Sequence, residues 1–177
     1  MTAEEYLTSH WNKNEIWTHL KQPTHQERLG KCAGKMIGAN FVDVGCGVGH
    51  STAIMAGFHP GAWTGIEFHE PTVERARVNF PTLQFIGLDK VYELTGFVFD
   101  GVVCSEVIEH VEDPLELISC LWAMTKKVLV VTTPCVRVSD PGHLRLFTEA
   151  SLRAAFDGIP IEIEQKERFF YVTARRK

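Results

Sequence analysis

Apolar runs of strand length alternate along this chain with segments whose apolar residues recur at helical spacing. Five such runs lie at 41–44, 62–66, 83–86, 100–103 and 128–132. Runs that are continuously apolar are typical of parallel strands covered on both faces. Two further strands, at 161–165 and 168–173, are joined by a link so short that they must pair antiparallel. The order predicts an α/β fold, a doubly wound, mostly parallel sheet with an antiparallel last strand.

Residues typical of helix N-termini mark where the predicted helices begin. Thr24 and Glu27 have the T-x-x-E spacing of a capping box. Pro71 suits the first turn of the helix that follows the second strand. Asp113 and Thr148 are predicted N-caps of two later helices. We predict one domain, with an N-terminal helical segment at 1–40 and a core at 41–177.

The stretch FVDVGCGVGH at 41–50 is where the first strand turns into a helix. Asp43 lies within the strand, and Gly45, Gly47 and Gly49 follow it. Such a turn presents backbone N–H groups and a helix N-terminus to a ligand, and glycine allows close approach. The G-x-G-x-G spacing differs from the G-x-G-x-x-G of dinucleotide-binding loops, which disfavours a dinucleotide oxidoreductase. A tight turn needs glycines even without a ligand, so the loop alone decides nothing.

Acidic residues at the ends of the next strands add to this pattern. Glu67 ends the second strand about 20 residues beyond the glycines, where nucleotide-binding α/β units hold ribose hydroxyls. Asp89 follows the third strand, and the fourth leads into SEVIEHVEDP. Because ligands of such sheets bind at the carboxyl ends of the strands, these residues are expected to share one site.

These motifs together make the chain resemble the class I S-adenosylmethionine-dependent methyltransferases. DVGCGVG resembles their first motif, GIE their second, and FDGVVCSEVIEHVEDP their fourth-strand segment. The resemblance covers 41–156 and implies a Rossmann-like fold, S-adenosylmethionine as cofactor, and transfer of a methyl group to an oxygen or nitrogen. It also implies that the segment at 1–40 folds over the cofactor as a lid, although a peripheral helix covering apolar surface fits equally well.

The expected cofactor-binding residues lie on the glycine loop and at the strand ends. Gly45 and Gly47 would pass close to the methionine part, and Glu67 would bind the ribose. Phe68, Leu88 and Asp89 would surround the adenine, and Cys104 and Ser105 would face the methionine end. The complete predicted set is Asp43, Gly45, Gly47, Glu67, Phe68, Leu88, Asp89, Cys104 and Ser105. Arg28 could reach the carboxylate of a bound amino acid, or it could be a solvated helix arginine.

Two histidines are the predicted catalytic residues. His110 follows the fourth strand and His143 lies in the loop after the fifth, and either could take a proton from an acceptor. His110 could instead only order the backbone by a hydrogen bond.

The E-x-x-E-H pattern around His110 also suggests a metal. Glu106, Glu109 and His110 would converge if they lay on a helical turn, with His143 opposite. This resembles the metal site of small-RNA 3′-terminal 2′-O-methyltransferases and of ubiquinone-pathway O-methyltransferases. We expect no metal here, and a histidine base or orienting residue instead. One carboxylate must then find a donor or hold a proton, and His143 or Arg145 is the expected donor.

Composition narrows the function further. A formal net charge of −4 argues against an extended nucleic-acid surface. No apolar stretch approaches membrane-spanning length, and the N-terminus lacks a signal pattern. Five cysteines without a C-x-x-C pair indicate reduced thiols in a cytoplasmic protein. We predict a methyltransferase acting on a small molecule; the alternatives are a metal-assisted small-RNA ribose 2′-O-methyltransferase and a non-catalytic cofactor-binding module. The sequence does not indicate an oligomeric state.

Overall fold

A mixed sheet of seven strands organises the computed structural model, which describes residues 16–137 and 140–177. The strands are β1 (Asn40–Val44), β2 (Ala62–Glu67), β3 (Gln84–Gly87), β4 (Phe99–Ser105), β5 (Thr125–Pro134), β6 (Ile161–Lys166) and β7 (Phe169–Arg175). Their order across the sheet is β3-β2-β1-β4-β5-β7-β6. Strands β1 to β5 pair in parallel, and β7 runs antiparallel to both β5 and β6. The predicted doubly wound, Rossmann-like sheet with an antiparallel last strand is confirmed.

Five α-helices connect and cover these strands in the described part of the chain. They are α1 (Pro23–Gly34), α2 (His50–Phe58), α3 (Glu70–Asn79), α4 (Pro114–Met124) and α5 (Glu149–Ala155). Short 3-10 helices at Ile16–Lys21 and Val91–Gly96 complete the helical structure. Among the described residues, no helix combines the length and the apolar run that a membrane span needs.

Residues 128–131 of strand β5 show why this run is continuously apolar. Val128 and Val130 pack into the cluster formed with α1 and α2. Leu129 and Val131 pack into the larger cluster on the opposite face, formed with α4 and α5. Because successive side chains point to opposite faces, a strand covered on both sides must be apolar at every position.

The helix starts match the sequence signals with one exception. Asp113 accepts hydrogen bonds from the backbone N–H groups of Leu115 and Glu116, and Thr148 accepts one from Ser151. Pro71 lies in the first turn of α3. The predicted capping box at Thr24 is wrong, because α1 already begins at Pro23 with Gln22 at the N-cap. Proline lacks an N–H and has a fixed φ, so it suits the first helical position, and Thr24 falls inside the first turn.

The N-terminal segment is described only from residue 16, so residues 1–15 lie outside the description. Helix α1 rests on the β6–β7 hairpin. Ion pairs join Lys31 to Glu164 and Glu27 to Lys166, and the Lys31 ammonium lies 4.6 Å from the centroid of the Tyr171 ring. This anchoring holds α1 at the carboxyl end of β5, while the lid role of 1–40 stays a prediction.

Candidate active site

The glycine loop after β1 has the backbone that its sequence requires. Gly45, Gly47 and Gly49 have φ values of 78°, 54° and 89°, in the left-handed region that favours glycine. A Cβ on Gly45 would lie 2.3 Å from Cγ2 of Val107. The N–H groups of Gly45 and Cys46 donate to the carbonyl of Ile66, at 2.8 and 3.1 Å, which ties the loop to the end of β2. The loop is thus held as a close-packed backbone surface.

Asp43 supports this loop from beneath. The residue is 1% exposed, and its Oδ2 accepts hydrogen bonds from the hydroxyls of Ser51 and Thr52 at 2.6 and 2.8 Å. Burial raises the pKa of Asp43, while the two hydroxyls act in the opposite direction. The carboxylate therefore fixes the start of α2 against β1. Direct contact between Asp43 and a cofactor stays a prediction.

Glu67 links the glycine loop to the end of β2. Its Oε2 accepts from the backbone N–H of Gly47 at 2.9 Å, and its Oε1 accepts from that of Phe68 at 2.7 Å. Burial raises the pKa of Glu67, and both N–H groups oppose this rise. A carboxylate has about four lone-pair sites, so this one can accept further hydrogen bonds from a ligand.

Phe68, Leu88 and Asp89 lie side by side beyond β2 and β3. Phe68 and Leu88 are half-buried and pack against the larger core cluster, and Leu88 donates its N–H to the carbonyl of Glu67 at 3.0 Å. Asp89 is exposed, and its backbone N–H donates to the carboxylate of Glu93. The structure therefore brings Phe68 and Leu88 next to Glu67, and Asp89 follows Leu88 in the chain.

Cys104 and Ser105 end β4 but point to opposite faces of the sheet. Cys104 is 0% exposed within the larger core cluster, and burial raises the pKa of its thiol well above the usual range. Only its backbone remains for contact with a cofactor. The Ser105 hydroxyl faces α1, where it pairs with the hydroxyl of Thr132 at 2.8 Å.

Arg28 reaches this edge of the sheet from α1 and is 3% exposed, so the solvated alternative is wrong. Its Nη1 donates to Ser105 Oγ at 2.6 Å and lies 3.4 Å from Oε1 of Glu106. Its guanidinium carbon lies 5.0 Å from the centroid of the Phe169 ring. Its Nε has no hydrogen-bond partner among the described residues. Arg28 thus brings a buried positive charge to the end of β4.

Glu106 does not lie on a helical turn, as the E-x-x-E-H pattern predicted. Its φ is 60°, and residues 106–112 form turns and bends before α4. The left-handed backbone directs its carboxylate to Arg28 and to the hydroxyl of Thr132, which donates at 3.0 Å. Burial raises the pKa of Glu106, and Arg28 and Thr132 act against this rise. The predicted convergence of Glu106 with His110 and His143 is therefore wrong.

Glu109 is enclosed in the protein, with 0% exposure. Its Oε2 accepts from the hydroxyl of Thr133 at 3.1 Å, and its Oε1 has no partner among the described residues. Burial, and then the negative charge of Glu106, raise the pKa of Glu109 well above its usual range. The expected donors were His143 and Arg145. Instead, Thr133 donates to Glu109. Thr132 donates to Glu106, which also pairs with Arg28.

His110 and His143 come together although they belong to different loops. Their ring centroids are 4.5 Å apart and the rings are nearly perpendicular, at 88°. Burial lowers the pKa of His143, although Asp140 acts in the opposite direction from 3.9 Å. The ligand atoms of Glu109, His110 and His143 all lie within 4.8 Å of one another, so these three residues could together hold a metal ion.

Sequence reasoning missed the hydroxyls of Thr132 and Thr133 and the ring of Phe169. Both threonines are 0% exposed at the carboxyl end of β5, and they bind Glu106 and Glu109, respectively. The signal was present, since two hydroxyls follow the apolar run 128–131 of this strand at the edge where ligands bind. Phe169 carried no such signal, because its place depends on how β7 pairs with β5.

Comparison with known proteins identifies the family of this chain. The family model described as a methyltransferase domain matches residues 18–166. A ubiquinone biosynthesis O-methyltransferase of Actinobacillus pleuropneumoniae serotype 5b (strain L20) is 31% identical over 139 residues, covering 70% of this chain and 57% of the relative. One from Neisseria meningitidis serogroup A is 27% identical over 128 residues, covering 68% of this chain and 54% of the relative. The matches thus span little more than half the length of these relatives.

Solved structures show the same fold at low sequence identity. Magnesium protoporphyrin IX methyltransferase from Synechocystis PCC 6803, with bound SAH, superposes with a TM-score of 0.72 at 18% identity, covering 98% of this chain and 97% of that chain. A SAM dependent methyltransferase from Archaeoglobus fulgidus superposes with a TM-score of 0.76 at 16% identity, covering 93% and 100%. Since the family model matches most of the chain, this protein belongs to the class I, S-adenosylmethionine-dependent methyltransferase family that its motifs resemble.

Proposed function

We propose that this chain transfers the methyl group of S-adenosylmethionine to a hydroxyl oxygen of a small molecule. The observation that carries the proposal is the convergence, at one edge of the sheet, of the glycine loop, Glu67, Arg28 and the His110–His143 pair. The names of the relatives favour oxygen as the acceptor atom over nitrogen, and they favour neither an RNA acceptor nor a role without catalysis. Five free cysteines fit the proposed cytoplasmic location.

The proposed cofactor site fits an adenosyl amino acid. The backbone of Gly45 and Gly47 would lie against the methionine part, because neither residue has a side chain to hold the ligand away. Glu67 would accept the ribose hydroxyls with its remaining lone pairs. Phe68, Leu88 and Asp89 would surround the adenine. The methionine, ribose and adenine parts would thus meet the carboxyl ends of β1, β2 and β3 in turn. These three strands are neighbours in the sheet, so their carboxyl ends are adjacent.

The amino-acid end of the cofactor would meet Ser105 and Arg28. A carboxylate is the natural partner for a buried guanidinium whose Nε has no partner among the described residues, because that group can still donate a hydrogen bond. Asp43 and the backbone of Cys104 would define the floor of this end. Residues 1–40 would cover the cofactor as a lid, with α1 as its anchored part.

The proposed chemistry needs alignment and one proton acceptor. When bound, S-adenosylmethionine supplies a methyl group on a sulfonium, which an acceptor oxygen displaces in line. Alignment of the reacting atoms supplies much of the acceleration. His110 or His143 would take the proton that the acceptor hydroxyl loses as its oxygen forms the new bond. Burial lowers the pKa of His143, which favours the neutral ring that a proton acceptor needs.

Three experiments test the proposal. Isothermal titration should detect binding of S-adenosylhomocysteine and none of NAD. Labelled S-adenosylmethionine, incubated with small hydroxylated molecules that include ubiquinone precursors, should yield a labelled product. His110→Ala and His143→Ala should each lower the rate while the affinity for S-adenosylhomocysteine stays unchanged. Binding of NAD instead, or full activity in both variants, would contradict the proposal.

A further inference from the structure

Arg145 holds together the two loops that carry the histidine pair. Its Nη1 donates to the backbone carbonyls of Ile108, at 3.2 Å, and Val111, and its Nη2 donates to the carbonyl of Glu112 at 3.0 Å. The half-buried guanidinium of one loop thus binds three carbonyls of the other.

Arg145 gives these carbonyls a donor from outside their own segment. Residues 108–112 form a turn and a bend, not a helix, so regular i to i+4 hydrogen bonds do not satisfy them. The same turn carries Glu109 and His110. A second link joins the loops beside the first, because Leu144 donates its N–H to the carbonyl of Glu109 at 2.9 Å.

We infer that Arg145 is a positioning residue for methyl transfer, setting the approach of His143 to His110. The inference rests on the catalytic role proposed above for these histidines. Arg145 lies two residues after His143, and the carbonyls that it binds flank His110 on both sides. The planar guanidinium donates in several fixed directions, which lets it span these carbonyls; a lysine ammonium has no such fork. Arg145 therefore acts through the backbone and touches none of the reacting atoms.

Arg176 provides a matched control. It also donates to two backbone carbonyls, those of Thr125 and Trp122, each at 2.7 Å, and its guanidinium carbon lies 4.2 Å from the centroid of the Trp122 ring. Those contacts lie at the amino end of β5, opposite the histidine pair. Arg176→Ala removes an arginine with the same kind of partners and leaves the site intact.

The test compares Arg145→Ala, Arg145→Lys and Arg176→Ala. Arg145→Ala should lower kcat about 10- to 100-fold, the effect of a misplacement near 1 Å, with Kd for S-adenosylhomocysteine unchanged within about twofold. Arg145→Lys should recover only part of the rate. Arg176→Ala should lower Tm and leave kcat unchanged. If Arg145→Ala keeps the wild-type kcat, or loses it only in proportion to its unfolded fraction, Arg145 has no positioning role.

A spectroscopic readout separates this inference from the proposed function. Arg145→Ala should shift the histidine ring 15N–1H resonances of His110 and His143 and leave those of His59 unchanged, whether or not an acceptor is known. Unshifted resonances would overturn the positioning role. Failure of the proposed function would appear differently, as a wild-type protein without methyl transfer or as His110→Ala and His143→Ala variants with full activity.

Discussion

Arg28 of α1 and Glu106 of the turn after β4 form an ion pair, with 3.4 Å between Nη1 and Oε1. The guanidinium side chain is 3% exposed and the carboxylate side chain 21%. This pair gives Arg28 a fixed place at the end of β4. It also directs Glu106 away from the histidine pair, so that the two carboxylates of the E-x-x-E-H pattern serve different sites.

The first prediction concerns Arg28→Gln. We expect weaker binding of S-adenosylhomocysteine by about 1–3 kcal/mol, the range for losing a charged hydrogen-bond partner of a carboxylate. Binding of 5′-methylthioadenosine, which lacks the amino-acid end, should be unchanged. Isothermal titration of both ligands measures the difference. Equal losses for both ligands would show that Arg28 acts on the fold and not on the carboxylate.

Glu67→Ala should weaken the binding of both ligands. Its carboxylate would face the ribose, which both ligands contain, so both affinities should fall by about 1–3 kcal/mol. Glu70→Ala is the control, because Glu70 is 58% exposed in α3 and pairs with Arg77. That variant should bind both ligands normally. An unchanged affinity in Glu67→Ala would place the ribose elsewhere.

The glycine loop and Glu67 could be predicted because their signals are local. Left-handed backbone at Gly45 and Gly47 follows from residue type, and the position of Glu67 follows from the length of one β–α–β unit. The place of Glu106 could not be predicted in this way. Its φ of 60° breaks the helical spacing on which the convergence argument depended, and its partner Arg28 comes from a distant helix. Contacts that form only in the tertiary fold leave no periodic pattern in the amino-acid sequence, so the sequence does not predict them.

The third prediction concerns metal at the cluster of Glu109, His110 and His143. We expect no stoichiometric divalent metal in protein purified without chelator, and no loss of activity in EDTA. Glu106 is held by Arg28 and Thr132, so the fourth ligand that the E-x-x-E-H pattern predicted is turned away from this cluster. Metal analysis measures the bound metal, and assays with and without EDTA measure whether activity depends on it.

Glu109→Gln and Glu106→Gln distinguish the outcomes further. In a metal-free site, Glu109→Gln keeps the partner of Thr133 and should retain most activity. If metal is bound, Glu109→Gln should lose both metal and activity, while Glu106→Gln keeps the metal. Bound metal that EDTA removes, with activity restored on its return, would overturn our expectation.

The last prediction concerns His25, whose Nδ1 lies 3.3 Å from Nη2 of Arg28 and whose ring packs against those of His19 and Phe169. Burial, followed by the charge of Arg28, lowers the pKa of His25 from 6.5 to about 4. Between these values the unfolded chain binds a proton that the folded chain does not. The free energy of unfolding should therefore fall as the pH is lowered through this window.

His25→Asn removes the titrating group and keeps a neutral side chain that can accept from Arg28. At pH 7.5 this variant should be less stable than the wild type by about 1 kcal/mol, since it loses ring contacts. The difference in free energy of unfolding between the two proteins should narrow at pH 6.0 and further at pH 5.0. At these pH values the unfolded wild type binds a proton at His25 that the folded wild type does not, and the variant has no such group. Urea unfolding of both proteins at the three pH values measures it. The raised pKa values of Glu106 and Glu109 affect both proteins alike, so they cancel in the comparison. A constant difference across the three pH values would mean that the ring of His25 titrates normally in the folded protein.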